Sequence, residues 1–345
     1  MGRPALKPAG FEREPEPIIW EVDSMKKHGQ AVLAVVLMLV SLLALAGCGG
    51  GGGSKNNGGG SWKVLFASTR NAASSSGSNI FAMNLDGTGV TALTALTDGT
   101  WNSQPEYSPD YARIAYVKQT ATYETELWVM NADGTGGVRI YTSGGGYLYP
   151  AWTRDGRIIF FEGESGGAAL YVMDAAGDNK TRITGVTGAE FSYSAGSPRI
   201  APNGAQIAYA DGESLYVADF SGGAPTVSNP TAIYTGRSPS QPSWSPDGGT
   251  IVFSEQSSDG DSYHRDIYRI SASGGTAQPL TSNGSVAGYA YARYPQFSPD
   301  GAKIIFEEYS ETNRGDIFSI RADGGGRTNL TDHPAADMYW LAPAG

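Results

Sequence analysis

Three stretches carry side chains that could do chemistry. "SWSPDGGTIVFSE" (Ser243–Glu255) sets Ser245 two residues before Asp247, the ingredients of an activated hydroxyl. "GESGG" (Gly163–Gly167) matches the G-x-S-x-G elbow that presents a nucleophilic serine, here Ser165. "DGDSYHRD" (Asp259–Asp266) brings three aspartates and His264 together, as cation sites do. Each fails on its context. The elbow works only on a strained strand-to-helix turn, and no helical pattern follows Ser165. The acidic stretch lacks calcium-loop spacing and a glutamate at the twelfth position, which leaves at most a weak cation site and no cofactor. After Cys48 the only histidines are His264 and His333, too few for a histidine-rich metal centre.

The Ser-Pro-Asp stretch fails because it repeats. An aromatic and a Ser-Pro-Asp-Gly-like turn lead into an apolar strand at "PEYSPDYARIAYV" (from Pro105), "PAWTRDGRIIFF" (Pro150), "PRIAPNGAQIAYA" (Pro198), "PSWSPDGGTIVFS" (Pro242) and "PQFSPDGAKIIFE" (Pro295). Tyr111 replaces the glycine once, Arg154 the proline and Asn203 the aspartate, so no side chain of the turn is required in every copy. That is the behaviour of a structural slot. Asx-Gly pairs suit tight turns, because glycine accepts positive φ and the Asx side chain bonds backbone two residues on. The aromatics Tyr107, Trp152, Trp244 and Phe297, with Trp340 near the C-terminus, are expected to wedge between neighbouring repeats.

A second pattern alternates with the first: an apolar strand, a glycine turn and a strand ending in threonine, beginning at Ile80, Leu127, Leu170, Leu215, Ile267 and Ile317. The turn residue of the first pattern falls at 110, 155, 203, 247 and 300, a spacing that fits four short strands per repeat. The chain enters at "WKVLFASTR" (Trp62–Arg70), which matches only a second strand, and ends in "DMYWLAPAG" (Asp337–Gly345), which matches the missing first one. The expectation is an all-β, six-bladed β-propeller over 62–345, four antiparallel strands per blade, its first blade completed by the C-terminal strand. These repeats resemble the TolB-type, WD-repeat-like propellers of bacterial envelope proteins. The resemblance implies protein contacts at a loop-bearing face. TolB itself is soluble and carries an extra N-terminal domain; here a tether stands in that place. Prolyl peptidases share such propellers but need a separate hydrolase domain, and within these 345 residues the repeats leave no stretch for one.

The N-terminal part reads as targeting. "MKKHGQAVLAVVLMLVSLLALAGC" (from Met25) has two lysines, an apolar run from Ala31 to Ala46, and Leu45-Ala46-Gly47-Cys48 at its end. That ending resembles the lipobox of bacterial lipoproteins, which implies cleavage before Cys48 and its acylation. Two or three acyl chains would anchor the protein stably. Residues 25–47 are thus a lipoprotein signal peptide, and 1–24 an upstream extension or an over-long gene start. Residues 48–61, "CGGGGGSKNNGGGS", form a flexible anchor tether with an r.m.s. reach of roughly 20 Å. The expected location is the cell envelope, on the outer face of the plasma membrane or on the outer membrane. Cys48 is the one cysteine, so no internal disulfide forms.

The net charge of −10 lies wholly after residue 47, where an acidic domain without a basic patch repels nucleic acid. Loops of varied length fall on the face opposite the turns, as binding loops on a rigid scaffold do. They include 68–79, 118–126, 255–266 and 307–316. Links between repeats add Trp101, Tyr147, Tyr149, Phe191, Tyr193, Tyr289, Tyr291 and Tyr294, rigid aromatic area suited to peptide or sugar contacts. Two functional classes follow. One is a non-catalytic, monomeric scaffold that binds an envelope protein, peptide or glycan. The other is a glycan lyase or hydrolase, for which Asp211, Glu213, Asp261 and Asp266 supply carboxylates that no spacing singles out.

Overall fold

A computed structural model of the chain describes residues 41–42, 63–70, 77–95, 99–143, 148–164, 167–185, 196–258, 263–283, 290–310, 315–332 and 338–341. Among them there are strands and turns and no α-helix. Consecutive strands pair antiparallel into meanders. The first holds Lys63–Ser68, Asn79–Asn84 and Thr91–Ala92. The second runs Trp101–Tyr107, Arg113–Gln119, Thr125–Asn131 and Val138–Thr142, the third Ala151–Trp152, Arg157–Glu164, Gly167–Asp174 and Thr181–Arg182. The fourth runs Arg199–Ile200, Gln206–Ala210, Ser214–Ser221 and Thr226–Thr235. An eight-stranded sheet follows. It starts with Ser240–Trp244, Thr250–Ser258, Tyr263–Ser271 and Gln278–Pro279, and continues with Ala290–Phe297, Lys303–Ser310, Asp316–Arg321 and Thr328–Asn329. A short parallel pairing, His264 with Ala290 and Arg265 with Tyr291, joins its two halves. Met338–Leu341 pairs antiparallel with Lys63–Ser68, the partner expected for the C-terminal strand. Ser41 and Leu42 pair further along the same strand, with Leu65 and Val64.

The apolar runs of the second strands explain the packing. Ile158, Ile159 and Phe160 are all fully buried, although successive strand residues point to opposite faces. Such a strand is covered on both sides, and its sequence is apolar throughout. Leu65 and Ile80 meet Ile114 and Met130 of the next meander, and Leu127 meets Ile158 and Phe160. Ile159 and Phe161 pack on Ile207, Leu215 on Ile251 and Phe253, and Val252 on Ile304 and Phe306. Ile305 and Ile317 then pack on Val64 and Phe66, back at the first meander.

The repeated turn is a closed hydrogen-bond device. Ser245 Oγ donates to Asp247 Oδ1 at 2.5 Å and accepts from the Thr250 amide at 2.9 Å, while the Gly249 amide donates to Asp247 Oδ1 at 2.9 Å. Ser108/Asp110 and Ser298/Asp300 repeat the pattern, and Thr153/Asp155 repeats the side-chain bond. The Ser245 hydroxyl holds the Asp247 carboxyl below its ordinary range, the opposite of what a general base at neutral pH needs. The position after the aspartate has a left-handed φ of 74° at Gly248, and Tyr111 takes the same conformation at 59°.

Of the aromatics expected to wedge between repeats, Tyr107, Trp152, Trp244 and Phe297 are buried, while the Trp340 side chain lies outside what is described. Trp152 is 2 % exposed and donates Nε1–H to the Glu106 carbonyl at 3.0 Å. Trp244 does the same to the Arg199 carbonyl at 2.9 Å, so each tryptophan ties its meander to the preceding one. The recurring threonines have a partner that the sequence pattern does not announce. Thr94, Thr281 and Thr331 each accept the amide of Ile80, Ile267 or Ile317 and donate to the residue before it, Asn79, Asp266 or Asp316.

Candidate functional site

The prolines that open each repeat mark the site. In Gln104-Pro105, Gln241-Pro242 and Tyr294-Pro295 the residue before proline adopts φ of 53°, 57° and 55°. Proline disfavours helical backbone before it, and a side chain at positive φ adds strain of roughly 1–3 kcal/mol. Each position coincides with a break in strand register, at Ser103/Glu106, Ser240/Ser243 and Arg293/Gln296. The same bulge thus recurs in the first strand of three meanders, re-aiming a side chain each time.

Around these bulges lies a small recess with room for about one water molecule, lined by Ser197, Arg199, Gln241, Tyr294 and Gln296 with two of the prolines. The strand registers put it toward the loop-bearing end: Ser240 pairs with Ser254 and Ala290 with Ser310, far from the Ser-Pro-Asp turns. Gln241 Oε1 accepts the Tyr294 amide at 2.9 Å and the Ser254 hydroxyl at 2.8 Å, which stitches two meanders together. Among the described residues Ser197 Oγ, buried there, has no hydrogen-bond partner. Nor, among them, has either polar atom of the Gln104 side chain, buried at the equivalent bulge.

Charge is concentrated beside the recess. Arg199 Nη1 reaches Glu106 Oε2 at 3.2 Å, with both side chains almost wholly buried. Glu106 Oε1 also accepts the Trp152 amide at 3.0 Å. Burial pushes the Glu106 carboxyl up to about 7, against the opposing pull of Arg199. Arg293 Nη2 pairs with Glu307 Oε1 at 2.8 Å, and burial raises Glu307 too. Arg265 donates Nη1 to Ser240 Oγ at 2.6 Å and has no carboxylate partner among the described residues.

Of the residues singled out by the sequence, Tyr294 lines the recess, and Tyr149 is buried in one apolar cluster with it. Trp101 and Tyr291 are partly exposed, Tyr291 opposite Arg265. Tyr147, Phe191, Tyr193 and Tyr289 lie outside the described residues, as do Cys48, Asp261, Ser165 and His333. Strand pairing runs to Glu164 on one side and from Gly167 on the other, and the residues from Gly167 on are strand where the elbow motif needs a helix. Asp211 accepts the amides of Glu213 and Ser214 and shapes its own hairpin. Asp266 is buried and bonded to Thr281 and the Asn283 amide. The stretch 255–266, read from its polarity as loop, is mostly strand: pairing runs from Glu255 with Asp266 to Ser258 with Tyr263. Among the described residues no three His, Cys, Asp or Glu side chains converge as a metal site.

The model of the TolB beta-propeller domain matches residues 76–287, a span that contains every bulge and turn except those of the last repeat. The chain belongs to the TolB beta-propeller domain family. A Tol-Pal system protein TolB of Francisella tularensis is 29% identical over 247 residues, 68% of this chain and 53% of that protein. An uncharacterized peptidase of Bacillus subtilis, YuxL, is 27% identical over 229 residues, covering 63% of this chain and 30% of its own. The chain thus spans about half or less of the curated relatives it matches. The crystal structure of TolB from Acinetobacter baumannii superposes with a TM-score of 0.63 at 20% identity, over 81% of this chain and 66% of that one. That likeness fixes the fold of this family member as a β-propeller.

Sequence reasoning missed Gln104, Ser197, Gln241, Arg199, Arg265, Glu106 and Glu307. A signal was present for three of them: each occupies the position before the repeated proline. Because that position holds Gln, Tyr, Ser, Gln and Tyr in turn, it shows up as a place and not as a residue type.

Proposed function

We propose that this TolB-family propeller is a non-catalytic binding scaffold, held in the bacterial cell envelope by acylated Cys48, whose loop-bearing face takes up a protein, peptide or glycan segment. The observation that carries the reading is the strained, polar recess at that face, built from bulges repeated in three meanders. Strain persists where surrounding structure over-determines it, as it does at ligand clamps. The relative in Francisella tularensis is named for the Tol-Pal system, which fits a partner that is itself an envelope protein.

The reading takes the propeller as six-bladed and closed. The cycle of apolar clusters from the first meander to the last and back supports this count. So does Gly87, in the first meander, where an added Cβ would lie 2.3 Å from the Leu330 carbonyl oxygen in the last. Gly134 and Gly177 make the same approach to Leu93 and Ile140 of the meander before.

The anchor is tested by expressing the full chain in a bacterium with an alkyne palmitate. The wild type is expected in the membrane fraction and labelled; Cys48→Ser is expected unlabelled and released. An unlabelled, soluble wild type would refute the anchor. Turnover of a glycan panel by the purified chain, with no partner retained, would refute the scaffold reading.

A further inference from the structure

Three repeats place a stacked pair of rings and a carboxylate in the same arrangement. Phe160 lies opposite Tyr171, Phe253 opposite Tyr268 and Phe306 opposite Phe318. Their centroids are 5.9, 5.8 and 6.0 Å apart, at 25°, 26° and 22°. Glu162, Glu255 and Glu308 follow the three phenylalanines at one spacing. Strand register adds another equivalent position, just before the outer strand: Lys180 before Thr181, Arg327 before Thr328 and Ala277 before Gln278. Two of the three repeats fill it with a cation. Lys180 pairs with Glu162, donates to the Tyr141 hydroxyl at 2.6 Å, and lies 4.1 Å from the Tyr171 centroid and 4.5 Å from that of Tyr141. Arg327 pairs with Glu308 and lies 4.6 Å from the Phe318 centroid. A ring face beside a carboxylate is a favourable seat for a partly desolvated cation.

The remaining repeat has the same seat. Tyr234 takes the place of Tyr141: its hydroxyl donates to Glu255 at 2.6 Å, as that of Tyr141 does to Glu162 at 2.5 Å. Its ring stands 5.0 Å from Phe253 at 50°, against 5.3 Å and 45° for Tyr141 and Phe160. Rings and carboxylate thus have the dimensions that hold Lys180. The position that would supply the lysine is Ala277, whose methyl group carries no charge. Among the described residues Glu255 receives the Tyr234 hydroxyl and, at 2.7 Å, the Arg237 amide, which leaves its oxygens further acceptor sites. Glu255 is buried, whereas Tyr234, Tyr268 and Ala277 are partly exposed, so the seat is reached from the outer edge of the sheet.

We propose that Tyr234, Phe253, Tyr268 and Glu255 form a seat for a primary ammonium, and that a lysine side chain of a partner segment supplies from outside what Lys180 supplies within the chain. The ring set selects lysine over arginine. The lysine-filled seat has two tyrosines, one of which accepts from the ammonium while donating to the carboxylate. The arginine-filled seat has Phe318, with Leu280 packed against it. The net charge of −10 favours approach of a basic segment. The seat lies between two meanders at their outer edge and does not depend on the loop-bearing face being a binding face.

The test uses the full chain in detergent, carbon-13 labelled in its tyrosine rings, and three hexapeptides that differ at one central residue: lysine, arginine or norleucine. Spectra of Tyr234→Phe and Tyr268→Phe assign the two rings. The lysine peptide is expected to shift both in a saturable way, and the arginine peptide to bind more weakly. The norleucine peptide is expected to bind at least about tenfold more weakly, the scale of a hydrogen bond to a charged group. Glu255→Gln keeps an acceptor for Tyr234 and is expected to weaken the lysine peptide by about tenfold or more. Ala277→Lys places the chain's own ammonium in the seat and is expected to abolish binding with no loss of melting temperature. Lys180→Ala opens the twin seat and is expected to add shifts at Tyr141 and Tyr171; a folded variant that gains none would break the equivalence on which the proposal rests. No shift at Tyr234 and Tyr268 in the wild type would overturn it. So would equal binding of the lysine and norleucine peptides, tighter binding of arginine, or full binding by Ala277→Lys. Binding gained only after Arg237→Ala would give the seat to the chain's own arginine and overturn it as well. These failures would leave partner contact at the loop-bearing face standing, since that is read out by cross-linking.

Discussion

Replacing Glu106 by alanine is expected to destabilise the propeller by about 3–5 kcal/mol, the cost of removing one partner of a buried ion pair. Glu106 is fully buried on the strand Trp101–Tyr107 and serves two neighbours at once. One oxygen takes the Arg199 guanidinium of the fourth meander and the other the Trp152 amide of the third. Alanine leaves a charge that is 4 % exposed without an anion and a buried amide without an acceptor. Urea unfolding of the two proteins at a pH well above 7, where the carboxyl is ionised, measures the difference; a loss under about 1 kcal/mol would mean that the pair contributes no more than an exposed one. Glu106→Gln adds a pH signature. The folded-state carboxyl is raised to about 7 from 4.5, so between those values the folded chain holds a proton that the unfolded chain has released. This contribution to stability is fully present below about pH 4.5 and is lost as pH rises through 7. Relative to Glu106→Gln, the wild type is therefore expected to lose stability between pH 5 and 8. A pH-independent gap between the two would contradict the burial of this carboxyl.

The second large effect is at Trp152. Trp152→Ala is expected to cost about 3–5 kcal/mol, the range for deleting a buried aromatic side chain. The ring packs with Leu127, Ile158 and Phe160 between two meanders, and its Nε1–H holds the Glu106 carbonyl. Trp152→Phe keeps most of the wedge and loses the hydrogen bond, so about 1–2 kcal/mol is expected. Two hydrogen bonds join Glu106 and Trp152, but each runs from one residue's side chain to the other's backbone, so Glu106→Ala and Trp152→Ala remove different bonds and the double variant is expected to cost about the sum of the single changes. A cost well below that sum in denaturant titration would show that the two losses are coupled through the packing around them.

The scaffold was legible because its devices are local. Ser245 and Asp247 bond each other and the backbone within five residues, so the same letters recur wherever that turn recurs. The apolar runs were legible because strands covered on both faces need them, and Trp152 and Trp244 because a wedge must be large. The recess was not. Arg265 meets Ser240 25 residues away, and Glu106 meets Arg199 93 residues away. Such pairs depend on which meander follows which around the fold, and no local pattern encodes them. Tyr149 and Tyr294 were singled out for aromatic character on links, yet they are 3 % and 6 % exposed and belong to a core cluster. Their place on links between repeats suggested a surface; at Tyr294 a bulge before proline accompanies burial, and Tyr149, also before a proline, is buried without one. The threonine lock shows the same limit, since Thr331 was visible as a repeat while its partner Asp316, on the neighbouring strand, was not.

The central claim is that partner contact occurs on the loop-bearing face and not on the turn face. Site-specific photocross-linking in living cells tests it most directly, with a benzophenone side chain placed at Trp101 or Tyr291 on one face and at Asp86 or Asp133 on the other. The account predicts covalent adducts to an envelope protein or peptide from positions 101 and 291 and none from 86 and 133. Adducts confined to the turn-face positions would contradict it.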